Sequence, residues 1–265
     1  MKYFVVDAFT DEPFKGNQAG VCLVDAWPDD KLMQNIAFEN NLSETAFVIS
    51  RGDYYDLRWF TPTVEVDLCG HATLAAAYVV LNFVESGKTN VRFETKSGLL
   101  TVVKTGDLYE MDFPAREPAP VELTAQMCKA IGAAAVEAHL SRDLVLVLES
   151  ERQVRELTPY FDLIAQLDHF AVVVTAKGDE VDFVSRFFTP RGGVPEDPVT
   201  GSAHCTLIPF WAKRLGKDKM IAKQLSVRGG TLYCENRGQR VKIAGKAVLY
   251  LQGEILLGST VQYAK

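Results

Sequence analysis

The sequence predicts an α+β protein of two pseudo-symmetric halves, each a curved, mostly antiparallel sheet or open barrel around one central helix. Three observations predict it. A set of motifs recurs in the same order at an offset of about half the chain. Each copy leads into a helix that is apolar on nearly every side, and such a helix is buried rather than laid on a surface. Most of the remaining chain reads as short runs rich in β-branched and aromatic residues, bounded by Gly, Pro, Asn or Asp, which is the pattern of strands.

The repeat is visible in LRWFTPTVEVDLCGHATLAAAYVV from Leu57 and in SRFFTPRGGVPEDPVTGSAHCTLIPFW from Ser185. Both copies open on Arg-aromatic-Phe-Thr-Pro, at Arg58 to Pro62 and Arg186 to Pro190. A polar, acid-containing loop follows, then Gly70-His71 in one copy and Gly201-Ser202 in the other, then the apolar helix. Repetition of this order at one offset marks a tandem duplication.

In chain order, KYFVVDAF, AGVCLV, TAFVIS, YDLRWFT, VRFET, LLTVV and LYEMDFP read as the strands of the first half. DDKLMQNIAFENN reads as a helix before TAFVIS, and the central helix runs from Ala72 to about Val84. FPAREPAPVE, Phe113 to Glu122, carries three prolines and reads as a linker, giving halves 1–116 and 117–265 with terminal strands open to exchange. In the second half ERQVRELTPYFDLIAQL reads as one helical stretch before the strand HFAVVVTA, and the central helix runs from Ala203 to Leu215. RGGTLYCE then forms a glycine turn and a strand, as SGLLTVV does in the first half.

Hydrophobic residues make up 48% and charged residues 23% of the 265, an ordinary globular balance. The net charge of −6 argues against nucleic acid, whose phosphates want a basic face. Five scattered cysteines without a CxxC favour reduced thiols over a disulfide framework, and hence a cytoplasmic protein. The apolar run in MKYFVVDAFTDEPF is too short for a secretory signal, and no stretch approaches the roughly 18 apolar residues of a membrane span, so no membrane partner is expected. The Asn41-Leu42-Ser43 sequon is therefore expected to be idle. Gly87-Lys88-Thr89 resembles the end of a P-loop, but Asn82 stands where its first glycine must be.

Candidate chemistry gathers at the starts of the two central helices. A helix N-terminus offers unpaired N–H groups and partial positive charge, so it takes a carboxylate or phosphate. Gly70 and Gly201 let the backbone approach a ligand, and Ser202 can cap its helix or donate to a ligand. The two equivalent starts are expected to face each other across an interdomain cleft, where small-molecule pockets form. Glu44 opens an otherwise apolar strand, so it reads either as a partly buried general acid/base or as a solvated strand end. His71 and Asp197 can each shuttle or orient a proton, and a core or capping histidine is the competing reading of His71. Cys69, His71, His204 and Cys205 raise the idea of a Cys2His2 metal site, but adjacent residues in a helical turn point in different directions, and no metal is expected.

GNQAGV (Gly16 to Val21), NNLSETAFV, LRWFTP, DLCGHATLAAA and EDPVTGSAH together resemble the phenazine-biosynthesis PhzF isomerase-like family, over nearly the whole chain. The resemblance implies the diaminopimelate-epimerase-like fold. It implies an acid/base glutamate at Glu44 and a Gly-His turn at Gly70 and His71. It further implies an aspartate at Asp197, a Gly-Ser helix start at Gly201 and Ser202, and Asn17 and Ser43 lining the substrate site. The implied reaction is a proton shift within a small carboxylate-bearing metabolite, without a cofactor, in a protein open to forming a homodimer. Related racemases use two facing thiols. Cys69 stands at the first such position, but Thr200 stands at the second, and its hydroxyl is far too weak an acid, so a two-thiol racemase is disfavoured. A binding scaffold for a metabolite or protein, without turnover, is the alternative from another class.

Overall fold

The computed structural model describes residues 1–257. The chain divides into two compact units, one built from Met1–Asp112 together with Ala244 onward, the other from Phe113–Ile243.

In the first unit, β1 (Lys2–Ala8) pairs antiparallel with β2 (Asn17–Leu23). The turn joining them needs a glycine. Gly16 sits at φ +64°, and a Cβ there would lie 2.1 Å from the Ala8 carbonyl oxygen. Helix α1 (Asp30–Asn40) is started by Asp29, whose carboxylate accepts the Leu32 N–H at 2.6 Å, and stopped by Asn41 in the left-handed conformation. It delivers the chain to β3 (Glu44–Ser50), parallel to β2, and β4 (Tyr55–Phe60) returns antiparallel. A short β5 (Glu65–Val66) pairs back on β4 and leads into α2 (Gly70–Val79). All of α2 except Gly70 and Tyr78 is buried, against β1, β2 and β3. The helix ends in one wider turn at Val80–Val84. β6 (Asn90–Thr95), parallel to β4, then pairs with β7 (Gly98–Thr105), and β7 pairs with β8 (Leu108–Pro114).

The second unit repeats these pairings. β9 (Ala119–Val121) lies within the stretch expected to be a linker, where its residues pair with β10 (Glu137–Leu140) after α3 (Ala125–Ile131). β10 pairs antiparallel with β11 (Leu144–Val147), as β1 does with β2. The single helical stretch expected at 151–167 is two helices, α4 (Glu151–Glu156) and α5 (Phe161–Gln166). Pro159 separates them, because it can neither donate to the ladder nor leave the preceding residue helical. β12 (Val172–Lys177) runs parallel to β11 and antiparallel to β13 (Phe183–Thr189), which pairs with β14 (Val194–Asp197). Helix α6 (Gly201–Leu215) follows, then β15 (Lys219–Gln224), parallel to β13, and β16 (Gly230–Asn236). After β17 (Arg240–Gly245) the chain ends its described part with β18 (Ala247–Glu254), which adds to the first unit on β1.

Both central helices start two residues earlier than the sequence predicts, at the glycines themselves. His71 is therefore inside the first turn of α2, not ahead of it. The cause is the absence of a side-chain cap. Cys69 and Thr200 occupy the cap positions without capping bonds, and glycine accepts the first helical position freely. The repeated Arg-aromatic-Phe motif is structural. Arg58 makes a two-pronged ion pair with Glu65 and lies 5.2 Å from the Phe60 ring centre. Arg186 does the same with Glu196 and lies 5.1 Å from that of Phe188. Each arginine thus ties the returning hairpin strand to the loop that starts the central helix.

Candidate active site

The first unit brings Asn17, Glu44, Cys69 and His71 together, and the topology explains why. Asn17 opens β2 and Glu44 opens β3, and the parallel pairing sets Ala19 beside Glu44. The first turn of α2 packs over the same ends of these strands. His71 Nε2 lies 2.9 Å from Glu44 Oε2. Its other nitrogen, Nδ1, lies 3.2 Å from Asn17 Nδ2 and 3.5 Å from Cys69 Sγ. Thr73 Oγ1 donates to the Cys69 carbonyl at 2.5 Å, fixing the turn that presents the thiol. Asn17, Cys69 and His71 are buried, and the Glu44 side chain is 17% exposed, enough to meet a ligand.

Burial opposes a charge on His71, but the negative charges available at Cys69 and Glu44 outweigh it and raise its pKa well above the ordinary value. Burial and the adjacent Glu44 both push the Cys69 thiol up, while His71 pulls it down. The shortest approach to the His71 ring is that of the Glu44 carboxylate, at Nε2. The carboxylate lies against His71 on one oxygen, and the Asn17 side-chain amide touches the other ring nitrogen. That is the layout of a positioned acid/base group.

The second unit holds a different set at the equivalent helix start. Asp197 ends β14 and accepts from Thr200 Oγ1 at 2.5 Å. Gln224, at the end of β15, clamps this turn. Its Nε2 donates to the Asp197 carbonyl at 2.7 Å and its Oε1 accepts the Thr200 N–H at 2.9 Å. His204 donates through Nδ1 to the Thr200 carbonyl, and burial lowers its pKa to about 4, so it is a neutral structural residue. Ser202 does not cap α6, since Thr200 stands at the cap. Its Oγ accepts instead from Arg142 Nη2 at 3.2 Å, and its own proton stays available to a ligand.

Of the residues singled out from the sequence, Asn17, Glu44 and His71 converge with Gly70 at the start of α2. Asp197, Gly201 and Ser202 converge at the start of α6. Ser43 directly precedes β3 and is half-buried. The sequence did not show that Cys69 touches the His71 ring, nor that Gln224 and Arg142 serve the α6 start. An i, i+2 pair around a glycine gives no signal of contact, and Gln224 arrives only through the parallel pairing of β15 with β13. Among the described residues Glu44, Cys69 and His71 also form a set with ligand atoms all within 4.8 Å of one another, the only group here suited to hold a metal ion. His204 and Cys205 are committed to the carbonyls of Thr200 and Gly201 one turn earlier in α6. No helix of the described residues is long and apolar enough to cross a membrane.

Comparison with known proteins shows what the whole chain is similar to. The family model described as "Phenazine biosynthesis-like protein" matches residues 6–253. A Pseudomonas aeruginosa protein named "uncharacterized isomerase" is 50% identical, with 96% of this chain and 98% of the relative covered. The crystal structure of a PhzF-family phenazine biosynthesis protein from Enterococcus faecalis superposes with a TM-score of 0.95 at 48% identity, covering 97% of this chain and all of the other. A hydroxyproline epimerase from Agrobacterium vitis superposes at 0.62 with 10% identity, covering 96% and 91%, which shows a shared fold alone. The diaminopimelate-epimerase-like architecture expected from the sequence is the one these structures share.

Proposed function

The chain belongs to the phenazine biosynthesis-like protein family, and from that premise we propose that it is an isomerase that moves a proton within a small carboxylate-bearing metabolite, with Glu44 as the acid/base. The observation that carries this reading is the 2.9 Å approach of the buried His71 ring to Glu44. The name of the Pseudomonas relative supports the reaction class.

Glu44 takes a proton from a substrate carbon, and the C–H electron pair moves into the conjugated system. The protonated carboxyl then returns the proton to a second carbon. Nothing is oxidised or reduced overall, so the balance of the reaction requires no cofactor. His71 holds one carboxylate oxygen and leaves the other to face the substrate. Its positive charge also offsets the charge of an anionic substrate. The uncapped helix start at Gly70 supplies N–H groups for a carboxylate oxygen. Asn17 positions His71, and Ser43 donates to polar substituents of the substrate. Cys69 is a poor second acid/base, because burial and Glu44 hold its thiol above the ordinary value.

The test is turnover of small unsaturated and hydroxylated carboxylic acids in D2O, followed by NMR. Acids are first selected by thermal shift. A shifted double bond, or deuterium at two carbons of one molecule, supports the reading. If bound acids show neither exchange nor rearrangement, the protein is a binding scaffold.

A further inference from the structure

We propose that Glu44, Cys69 and His71 also form a binding site for a thiophilic divalent cation of the zinc class, and that the bound ion takes the acid/base group out of use. The second clause rests on the reading of Glu44 given above; the first does not.

A carboxylate, a thiol and an imidazole arrive at one point from two separate segments, the start of β3 and the start of α2. Soft thiolate with imidazole selects zinc-like ions, whereas magnesium and calcium prefer oxygen alone. Around tetrahedral zinc the ligand atoms stand roughly 3.3–3.6 Å apart, from bonds of about 2.0–2.3 Å. Here Nε2 lies 2.9 Å from Oε2 and 4.0 Å from Sγ, and all three ligand atoms lie within 4.8 Å of one another, so side-chain shifts of roughly an ångström complete the geometry.

The surroundings fit an ion as well as the distances do. Asn17 lies 3.2 Å from Nδ1, and with its amide turned to present Oδ1 it accepts the Nδ1 proton, leaves Nε2 to the metal and fixes the ligating ring. Apart from His71, no donor of the described residues reaches the buried Oε2, so this oxygen is open to an ion once the ring gives up its proton. A divalent ion with one carboxylate, one thiolate and a neutral imidazole is uncharged overall, as a buried site requires. As the ion binds, the Cys69 thiol proton and the His71 Nε2 proton both pass to solvent, and no oxidation state changes. Three protein ligands leave a fourth position for water. The repeated half makes an internal control, since its helix start offers Thr200, Gly201 and Ser202, which bring neither thiol nor imidazole to the matching positions.

The experiment titrates the metal-free full chain with Cd2+ and follows the ultraviolet thiolate-to-cadmium charge-transfer band. One equivalent is expected to saturate the band, with Zn2+ displacing Cd2+ and Mg2+ not doing so. Cys69→Ser is expected to abolish the band and Cys205→Ser to leave it. Glu44→Gln is expected to keep the band but weaken Cd2+ at least ~10-fold. Near-ultraviolet circular dichroism checks each fold, and His71→Gln, expected to weaken Cd2+ similarly, stands in if Cys69→Ser does not fold. No band, or a band that survives Cys69→Ser, or one indifferent to both Glu44→Gln and His71→Gln, overturns the site. Zn2+ is expected to stop solvent exchange by the wild type with the midpoint at which it binds. Exchange that continues at saturating Zn2+ overturns the second clause and leaves both the site and the Glu44 reading intact.

Discussion

His71 carries its charge where burial opposes it, and the compensation is local. Folding raises its pKa because Cys69 and Glu44 face it, so the folded state binds the proton more tightly than the unfolded chain. The resulting stabilisation is complete below about pH 6.5, the ordinary histidine value, and is lost as pH rises through the raised native value. Thermal unfolding followed from pH 6 upward should show wild-type stability falling, and His71→Gln should flatten that fall. Glu65 has the opposite sign. The hydrogen bonds from Arg58 lower its pKa to about 2, with burial opposing and Lys96 assisting. Its stabilisation is present above about pH 4.5 and is lost as pH falls toward 2. Glu65→Gln should cost about 1–2 kcal/mol at neutral pH after solvent screening, and should remove the corresponding part of the acid limb of a pH–stability curve. An unchanged acid limb would show that the pair contributes nothing.

Among the elements, α6 shows how a helix tolerates a proline in its middle. Pro209 lacks the N–H that would bond the Cys205 carbonyl four residues earlier. That carbonyl accepts instead from the Arg116 N–H, at 2.9 Å, in the segment that follows β8. Pro209→Ala restores a helical donor and makes it compete with Arg116. Hydrogen exchange should then show the Arg116 amide losing protection while the α6 amides gain it. Retained protection at Arg116 would mean that the proline does not govern this contact. The element pattern was legible because it is local. Strand runs such as LYEMDFP match β8 residue for residue, and the apolar surround of α2 announced its burial. What escaped the sequence depends on position in space. The pairing of Ala119–Val121 with β10 overrode three prolines, and the helix starts moved to Gly70 and Gly201 because no side chain caps them.

At the scale of the whole chain, the duplication survives as matching pairings within the two units, while the last strand is assigned across the sequence. β18 completes the first unit by pairing along the full length of β1, from Lys2 with Glu254 to Ala8 with Ala247. A chain ending at Ile243 should therefore leave β1 with one partner, and its amides should exchange far faster than in the full chain. Retained protection in β1 would show that the first unit stands without its final strand. The duplication also explains why the candidate site was readable only in part. The shared frame pointed to two helix starts, and Glu44, His71 and Asp197 stood out as reactive side chains near them. The contacts that give those groups their character were not readable. Asn17 reaches His71 across 54 positions and Gln224 reaches Thr200 across 24, and only the folded sheet brings them near.

The most direct test of the central claim is deuterium incorporation from D2O into a turned-over carboxylic acid by wild type and Glu44→Gln, with both proteins shown to bind the acid equally. Glu44→Gln keeps the shape of the side chain and removes its basicity. Incorporation is expected to fall at least about 100-fold, the usual worth of a positioned acid/base. Incorporation by Glu44→Gln at the wild-type rate would contradict the account.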